Sequence, residues 1–270
     1  MQVTPLDPVA IARTCDAFEI EVHELLDSTQ VRARERVRTG LRMPAAVLAD
    51  AQSAGRGRDG RVWLSPPGAA IYLTLVWPSA RPLADQSGLS LVVGLAVRAC
   101  LAQWLVAAEL KWPNDVWVDR RKLGGILIEA LPHPTGCTLL IGIGLNLALP
   151  PEAGAAIDQP WVDLAQLLDQ PPPRNALVGS LLGQLQRYLT RFEAAGLDDF
   201  QQEWIAADAL AGRSVWLDDA AEAGQAIGID ELGRLRVIQD GQVRSIAAGD
   251  VRIRTGVTHD GDPTAAGPRQ

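Results

Sequence analysis

The chain has 270 residues, a net charge of −7, a hydrophobic fraction of 47% and a charged fraction of 21%. That balance is ordinary globular usage and excludes wholesale disorder and fibrous repeats. An acidic total also argues against bulk nucleic-acid binding, because phosphate backbones call for a basic surface.

The first 20 residues contain no basic stretch followed by an apolar one, so no signal peptide is read. Val31–Arg42 carries five arginines against one glutamate, with a thin stripe of Val31, Ala33 and Val37, and predicts a surface helix ended by Gly40. Ala45–Asp50 predicts a short buried strand. A Gly/Arg loop follows, closed by Ser65-Pro66-Pro67-Gly68, a turn through which no helix continues. Ile71–Trp77 and Thr138–Leu147 are β-rich runs, with a buried helix over 88–108 and a strand pair, Val116–Val118 and Ile126–Leu131, between them. Arg98, Ser90, Gly94 and Gln103 interrupt the apolar window of that helix, so it suits a protein core better than a membrane.

Pro150–Pro160 reads as a flexible loop, a kind that in compact domains is usually functional or disordered. Leu177, Leu181, Leu182, Leu185, Leu189 and Phe192 recur at helical spacing and predict an amphipathic helix, and a second helix is expected over Leu197–Ala209. Beyond Gly212 the texture changes to short strands, with Asp240-Gly241 as a hairpin signal. The expected class is α+β: a larger domain over 1–209, a small β-barrel over 210–256 and a disordered tail over 257–270. The three cysteines, Cys15, Cys100 and Cys137, are widely spaced without a CxxC pair, which suits a reducing cytoplasm rather than a disulfide scaffold or zinc site.

The chemical centre is Gly55-Arg56-Gly57-Arg58-Asp59-Gly60-Arg61-Val62-Trp63. Glycines let a backbone turn tightly and offer N–H groups to an anion, and arginines add charge and forked donors. A dinucleotide fingerprint needs a helix directly afterwards, which Ser65-Pro66-Pro67-Gly68 forbids. A phosphate-binding P-loop fails at Arg61 and Val62, and a kinase loop lacks its downstream His-Arg-Asp and Asp-Phe-Gly triplets. The loop has company, however: Asp27-Ser28-Thr29-Gln30 and Gln52 before it, then Lys111-Trp112-Pro113-Asn114-Asp115, Lys122-Leu123-Gly124-Gly125-Ile126-Leu127-Ile128-Glu129 and Gly142-Ile143-Gly144-Leu145-Asn146. In this order and spacing the set resembles the biotin protein ligases, over roughly residues 27–254.

The resemblance implies a class II synthetase-like catalytic domain, a mixed sheet with helices, followed by an SH3-like β-barrel. It implies a reaction in which biotin and MgATP give biotinyl-5′-AMP, and a lysine of a biotin carboxyl carrier protein, by default a subunit of acetyl-CoA carboxylase, then takes the biotin. Lys122, Arg58, Arg56 and Asp115 are the implied catalytic residues, with Asp115 also the candidate for the Mg²⁺ shell. Ser28, Thr29, Gln30, Gln52, Arg56, Gly57, Arg58 and Lys122 match biotin-contacting positions. Arg58, Arg61, Trp63, Lys111, Asn114, Asn146 and Trp161 match the nucleotide side, with Trp161 covering the adenine after the 150–160 segment closes. Taken alone, Ser28-Thr29 reads as a helix N-cap, Trp63 as a core tryptophan and Lys122 as a surface lysine. Asp59 stands where many relatives carry a basic residue, Gln30 where asparagine is commoner, and Ala148 where many have a second asparagine. Only 26 residues precede Asp27, short of the about 50 that an independent winged-helix domain needs, so the monofunctional type without DNA binding is expected. A lipoate or octanoate transferase and a non-catalytic biotin binder are the competing readings. The resemblance leaves a homodimer open, and no membrane partner is expected.

Overall fold

Apolar residues and glycine alternate along residues 141–145, and this alternation gives the central sheet two unlike faces. A computed structural model describes residues 4–217, 222–247, 249 and 251–252. The chain opens with α1 (Pro8–Ala12), β1 (Glu19–Leu26), α2 (Thr29–Arg38), β2 (Ala45–Gln52) and β3 (Ala70–Ser79). Helix α3 (Leu89–Ala102) leads into a meander of β4 (Glu109–Lys111), β5 (Asp115–Val118), β6 (Arg121–His133) and β7 (Gly136–Asn146). Helices α4 (Pro151–Ala155), α5 (Leu164–Leu167), α6 (Arg174–Ala195) and α7 (Gln201–Ile205) follow, then β8 (Ser214–Leu217), β9 (Glu222–Ile229), β10 (Leu235–Gln239), β11 (Gln242–Ile246) and β12 (Val251–Arg252).

The main sheet has the order β1-β2-β3-β7-β6-β5-β4. Its neighbours are antiparallel except β1 and β2, which are parallel and joined by the α2 crossover. On one face Ile71, Leu73, Leu139, Ile141, Ile143 and Leu145 bury against α3 and α6, which contribute Leu95, Leu101, Leu181 and Leu185 to the same core. On the other face Val47, Val76 and Leu140 pack with Ala33 of α2 in a smaller cluster. Helix α2 covers only part of this second face. The rest presents Gly125, Gly142 and Gly144 to a cavity.

Several elements differ from the sequence expectation. The helix expected over 88–108 stops at Ala102. Val106 N–H bonds Leu101 C=O at 3.2 Å and Leu105 N–H bonds Ala102 C=O at 3.1 Å, a left-handed cap with Leu105 at φ 60° where glycine usually sits. The apolar periodicity therefore carried no stop signal. The helix expected over Leu197–Ala209 shrinks to a 3₁₀ turn, Asp198–Phe200, and α7. Residues beyond it are drawn to the sheet edge instead: Leu110 N–H bonds Ala207 C=O at 2.7 Å and Ala209 N–H bonds Leu110 C=O at 2.9 Å. The segment 150–160 contains α4 rather than being loop throughout. Strands β1 and β4 had no counterpart in the expectation; one carries three glutamates, and the other is three residues long.

The expected strands after Gly212 form a five-stranded antiparallel sheet, β11-β10-β9-β8-β12. Asp240 (φ 52°) and Gly241 (φ 75°) make the two-residue turn between β10 and β11. Val215, Ala226, Leu235 and Val237 of this sheet join the main core, and Trp112 Nε1 donates to Gly233 C=O at 2.9 Å. The tail expected over 257–270 lies outside the described residues.

Candidate active site

The floor of the cavity follows from the strand register. Gly125 pairs with Gly144, Leu127 with Gly142, and Thr74 and Tyr72 of β3 with Gly142 and Gly144. All point away from the core helices. The glycines keep this patch flat enough for other side chains to lie on it. A Cβ on Gly144 would stand 2.5 Å from Trp63 Cε2, and one on Gly142 would stand 3.0 Å from Gln30 Oε1.

A β-bulge brings the charged pair to the same face. Asp115 pairs with Gly125 and Val116 with Gly124, but the next rung is Trp117 with Lys122, so Leu123 is extra. Without that bulge Leu123 would face the cavity and Lys122 the core. With it, Leu123 is fully buried, and Lys122 stands beside Asp115, Nζ to Oδ1 2.8 Å, with only 16% and 11% of the two side chains exposed. The Asp119-Arg120 turn, both residues at positive φ, closes this hairpin.

The glycine–arginine loop lies over that floor. Its base is clasped by Trp63 N–H to Gly55 C=O (2.9 Å) and Gln52 N–H to Ser65 C=O (3.1 Å), and its tip by Gly57 N–H to Arg61 C=O (2.8 Å). Asp59 adopts φ 55° inside a 3₁₀ turn, Arg58–Gly60. Arg58 Nη1 donates to Asn114 Oδ1 at 3.3 Å, and Asn114 is held in turn by Nδ2 to Ile126 C=O at 2.8 Å. The Trp63 indole rests against Gly125 and Gly144, with Lys122 Nζ 5.5 Å from its centroid.

The opposite end of the cavity is neutral. Ser28 caps α2, its Oγ accepting from Gln30 N–H at 3.2 Å. Gln52 Oε1 accepts from Thr29 N–H at 2.9 Å, and Gln52 Nε2 donates to Ser65 Oγ at 2.9 Å. The Thr74 hydroxyl lies 2.9 Å from both Thr29 Oγ1 and Gln30 Oε1, while Gln30 Nε2 donates to Leu140 C=O at 3.0 Å. The longer side chain at position 30 thus spans from Thr74 to the backbone of β7.

Of the residues expected at the site, Ser28, Thr29, Gln30, Gln52, Arg56, Gly57, Arg58, Arg61, Trp63, Asn114, Asp115 and Lys122 line this one cavity. Three expected nucleotide-side residues do not. Lys111 shares a face with Asp115 one strand further out and lies 5.1 Å over the Trp117 ring. Asn146 Nδ2 donates to Val162 C=O at 3.1 Å, tying β7 to the segment after Trp161. Trp161 packs on Gly154 and donates from Nε1 to its carbonyl at 3.0 Å. Its neighbours nevertheless reach the site: Lys122 N–H bonds Pro160 C=O at 2.9 Å, and Val162 N–H bonds Lys122 C=O at 3.0 Å. Ala148, at the third departure, donates its N–H to Ala69 C=O at 3.0 Å, a backbone bond indifferent to its side chain. Sequence reasoning missed Tyr72, Thr74 and Gln159 as lining residues. A signal for Thr74 existed, since it is the one hydroxyl within the apolar run Ile71–Trp77 apart from the Tyr72 phenol.

Comparison with known proteins agrees with the geometry. Residues 22–146 match the model of the biotin/lipoate A/B protein ligase family. The chain is 34% identical to the bifunctional ligase/repressor BirA of Escherichia coli K12 over 89% of this chain and 75% of that one. It is 32% identical to the biotin–[acetyl-CoA-carboxylase] ligase of Mycobacterium tuberculosis, over 86% and 88% of the two chains. Among solved structures, the biotin protein ligase of Aquifex aeolicus in complex with biotin and ATP superposes with a TM-score of 0.74 at 26% identity, covering 87% of this chain and 98% of that one. With its glycine-floored cavity, its bulge-placed lysine and these relatives, the chain belongs to the biotin protein ligases of the biotin/lipoate A/B protein ligase family.

Proposed function

We propose that the cavity activates biotin with ATP and passes it to a lysine of a biotin carboxyl carrier protein. The observation that carries this reading is a single cavity with two chemically unlike ends. Ser28, Thr29 and Gln52 offer hydroxyl and amide groups at one, and Arg56, Arg58 and Lys122 offer positive charge at the other. A ureido ring needs paired donors and acceptors, because an unpaired buried amide is costly. A carboxylate and an α-phosphate repel each other, and fixed cations in a partly dry site offset that repulsion.

In the first step a carboxylate oxygen of biotin attacks the α-phosphorus of ATP, the bond to the bridging oxygen breaks and pyrophosphate leaves. In the second, the neutral amine of the carrier lysine attacks the acyl carbon, AMP leaves with the bonding pair and the amine gives up a proton. Lys122 and Arg58 hold the two anions together. Asp115 fixes the Lys122 ammonium at 2.8 Å. Asp115 would also carry the Mg²⁺ that travels with the nucleotide. One carboxylate fits that role, because Mg²⁺ keeps several waters and takes its other ligands from phosphate oxygens. No cluster of three or more His, Cys, Asp or Glu suited to a resident metal occurs among the described residues.

The −7 net charge favours small-molecule and protein partners over DNA. The three free, buried cysteines suit a reducing compartment such as the cytoplasm, and no helix among the described residues is long and apolar enough to cross a membrane. The test is pyrophosphate release with ATP and either biotin or lipoate. Release with biotin and not with lipoate is expected; release with lipoate alone contradicts the reading.

A further inference from the structure

We infer that Ser65 is a positioning residue that couples the neutral end of the cavity to its cationic end; this rests on the biotin-activating reading above. Ser65 is buried, 8% exposed, and does not line the cavity. Its hydroxyl nevertheless sits at the junction of two side-chain systems. It accepts from Gln52 Nε2 at 2.9 Å and donates to the Trp63 carbonyl at 2.9 Å. The other end of the Gln52 amide accepts from Thr29 N–H. A single line of hydrogen bonds therefore runs from Thr29 through Gln52 and Ser65 to the main chain of Trp63.

The proton count gives this line a fixed direction. The Gln52 amide must present oxygen to Thr29 N–H, which can only donate, and so must present its NH₂ to Ser65. Ser65 Oγ then receives one hydrogen and sends its own to a carbonyl. A 180° flip of the Gln52 amide would set NH₂ against an N–H and leave Ser65 without its donor. Whatever engages Thr29 or Gln52 from within the cavity is felt at the Trp63 carbonyl through a chain that has one good arrangement.

Trp63 is where that position matters. Its indole covers Gly125 and Gly144 and lies 5.5 Å from Lys122 Nζ, and its N–H closes the loop that carries Arg56 and Arg58. Gly55 is built around the same junction. A Cβ there would collide first with the Trp63 carbonyl oxygen and stand 2.6 Å from Ser65 Oγ and 3.0 Å from Gln52 Nε2, although Gly55 has no positive φ to require glycine. The first glycine of the loop is thus explained by room for this clasp rather than by backbone conformation.

The experiment compares Ser65→Thr with Ser65→Val in the full chain, two replacements of equal shape of which only one keeps the hydroxyl. Readouts are biotin affinity, the single-turnover rate of biotin-dependent pyrophosphate release, melting temperature, and trypsin cleavage at the exposed Arg56 and Arg61, from which bound biotin is expected to protect the Ser65→Thr chain. Ser65→Val is expected to bind biotin within about threefold of Ser65→Thr, yet release pyrophosphate about tenfold more slowly and lose the protection. Equal rates and equal protection in the two variants would overturn the inference. So would a difference confined to melting temperature, which would assign Ser65 to folding alone. A wild-type chain without biotin-dependent pyrophosphate release would instead overturn the functional reading itself.

Discussion

Lys122 Nζ lies 2.8 Å from Asp115 Oδ1, and the two meet on the cavity face only because Leu123 is bulged out of the β5–β6 ladder. The pair is mostly shielded, so removing one partner strands the other's charge. Lys122→Gln should lower the rate of adenylate formation by about 10²–10³-fold, the range for removing one group that stabilises transition-state charge. Asp115→Asn keeps the shape and should cost less in the first step. Rapid-quench measurement of each step checks both, and a Lys122→Gln enzyme of wild-type rate would contradict the assignment.

Trp63 has room over the floor because residue 144 lacks a side chain. Gly144→Ala should push the indole off the sheet, slow adenylate formation more than about tenfold and leave the core sheet folded. Combining it with Trp63→Ala should add little further loss, because the three atoms nearest the added methyl all belong to the Trp63 indole. A double-mutant cycle on the single-turnover rate measures this, and fully additive losses would show the two residues to be independent.

Gln30 spans from the Thr74 hydroxyl to Leu140 C=O. Gln30→Asn is one methylene shorter and cannot hold both. The expected cost is about 1 kcal/mol in urea unfolding, one net hydrogen bond, with biotin affinity changed less than by Gln52→Ala. Equal affinity losses for the two would instead assign the Gln30 amide directly to the ligand.

Much of this arrangement was legible in the chain. The order Gly55–Trp63, Lys111–Asp115, Lys122–Glu129 and Gly142–Asn146 contains most of the lining, since each motif supplies residue types its chemistry requires. The β-rich run Thr138–Leu147 likewise forms most of β7, although the glycine face it gives the sheet was not read from it. What was not legible depends on contacts distant in sequence. The end of α3 at Ala102 is set by a left-handed leucine, and the short α7 by pairing of 207–209 with Leu110. The sequence also does not announce that Asn146 braces the 160–162 segment and that Trp161 packs on α4. The bulge at Leu123 has no signature in residue types at all.

Strand β1 gives a pH prediction. Burial alone would raise the Glu21 carboxyl, but hydrogen bonds from Arg32, His23 and Arg36 outweigh it and hold it from 4.5 down to about 2. A depressed carboxylate contributes stability that is fully present above its unfolded value. That contribution fades as pH falls from about 4.5 toward 2, because the unfolded state takes up the proton first. Glu21→Gln should therefore cost about 1–2 kcal/mol at pH 7 and progressively less below pH 4.5, allowing for partial solvent screening. Unfolding free energies of both proteins from pH 2 to 7 check this, and a gap that widens toward acid would refute it.

The most direct measurement is the mass of a biotin carboxyl carrier domain after incubation with this protein, biotin and MgATP. A gain of one biotin on a single lysine is expected, dependent on ATP and lost with Lys122→Gln. A carrier of unchanged mass, under conditions where the protein is folded and binds biotin, would contradict it.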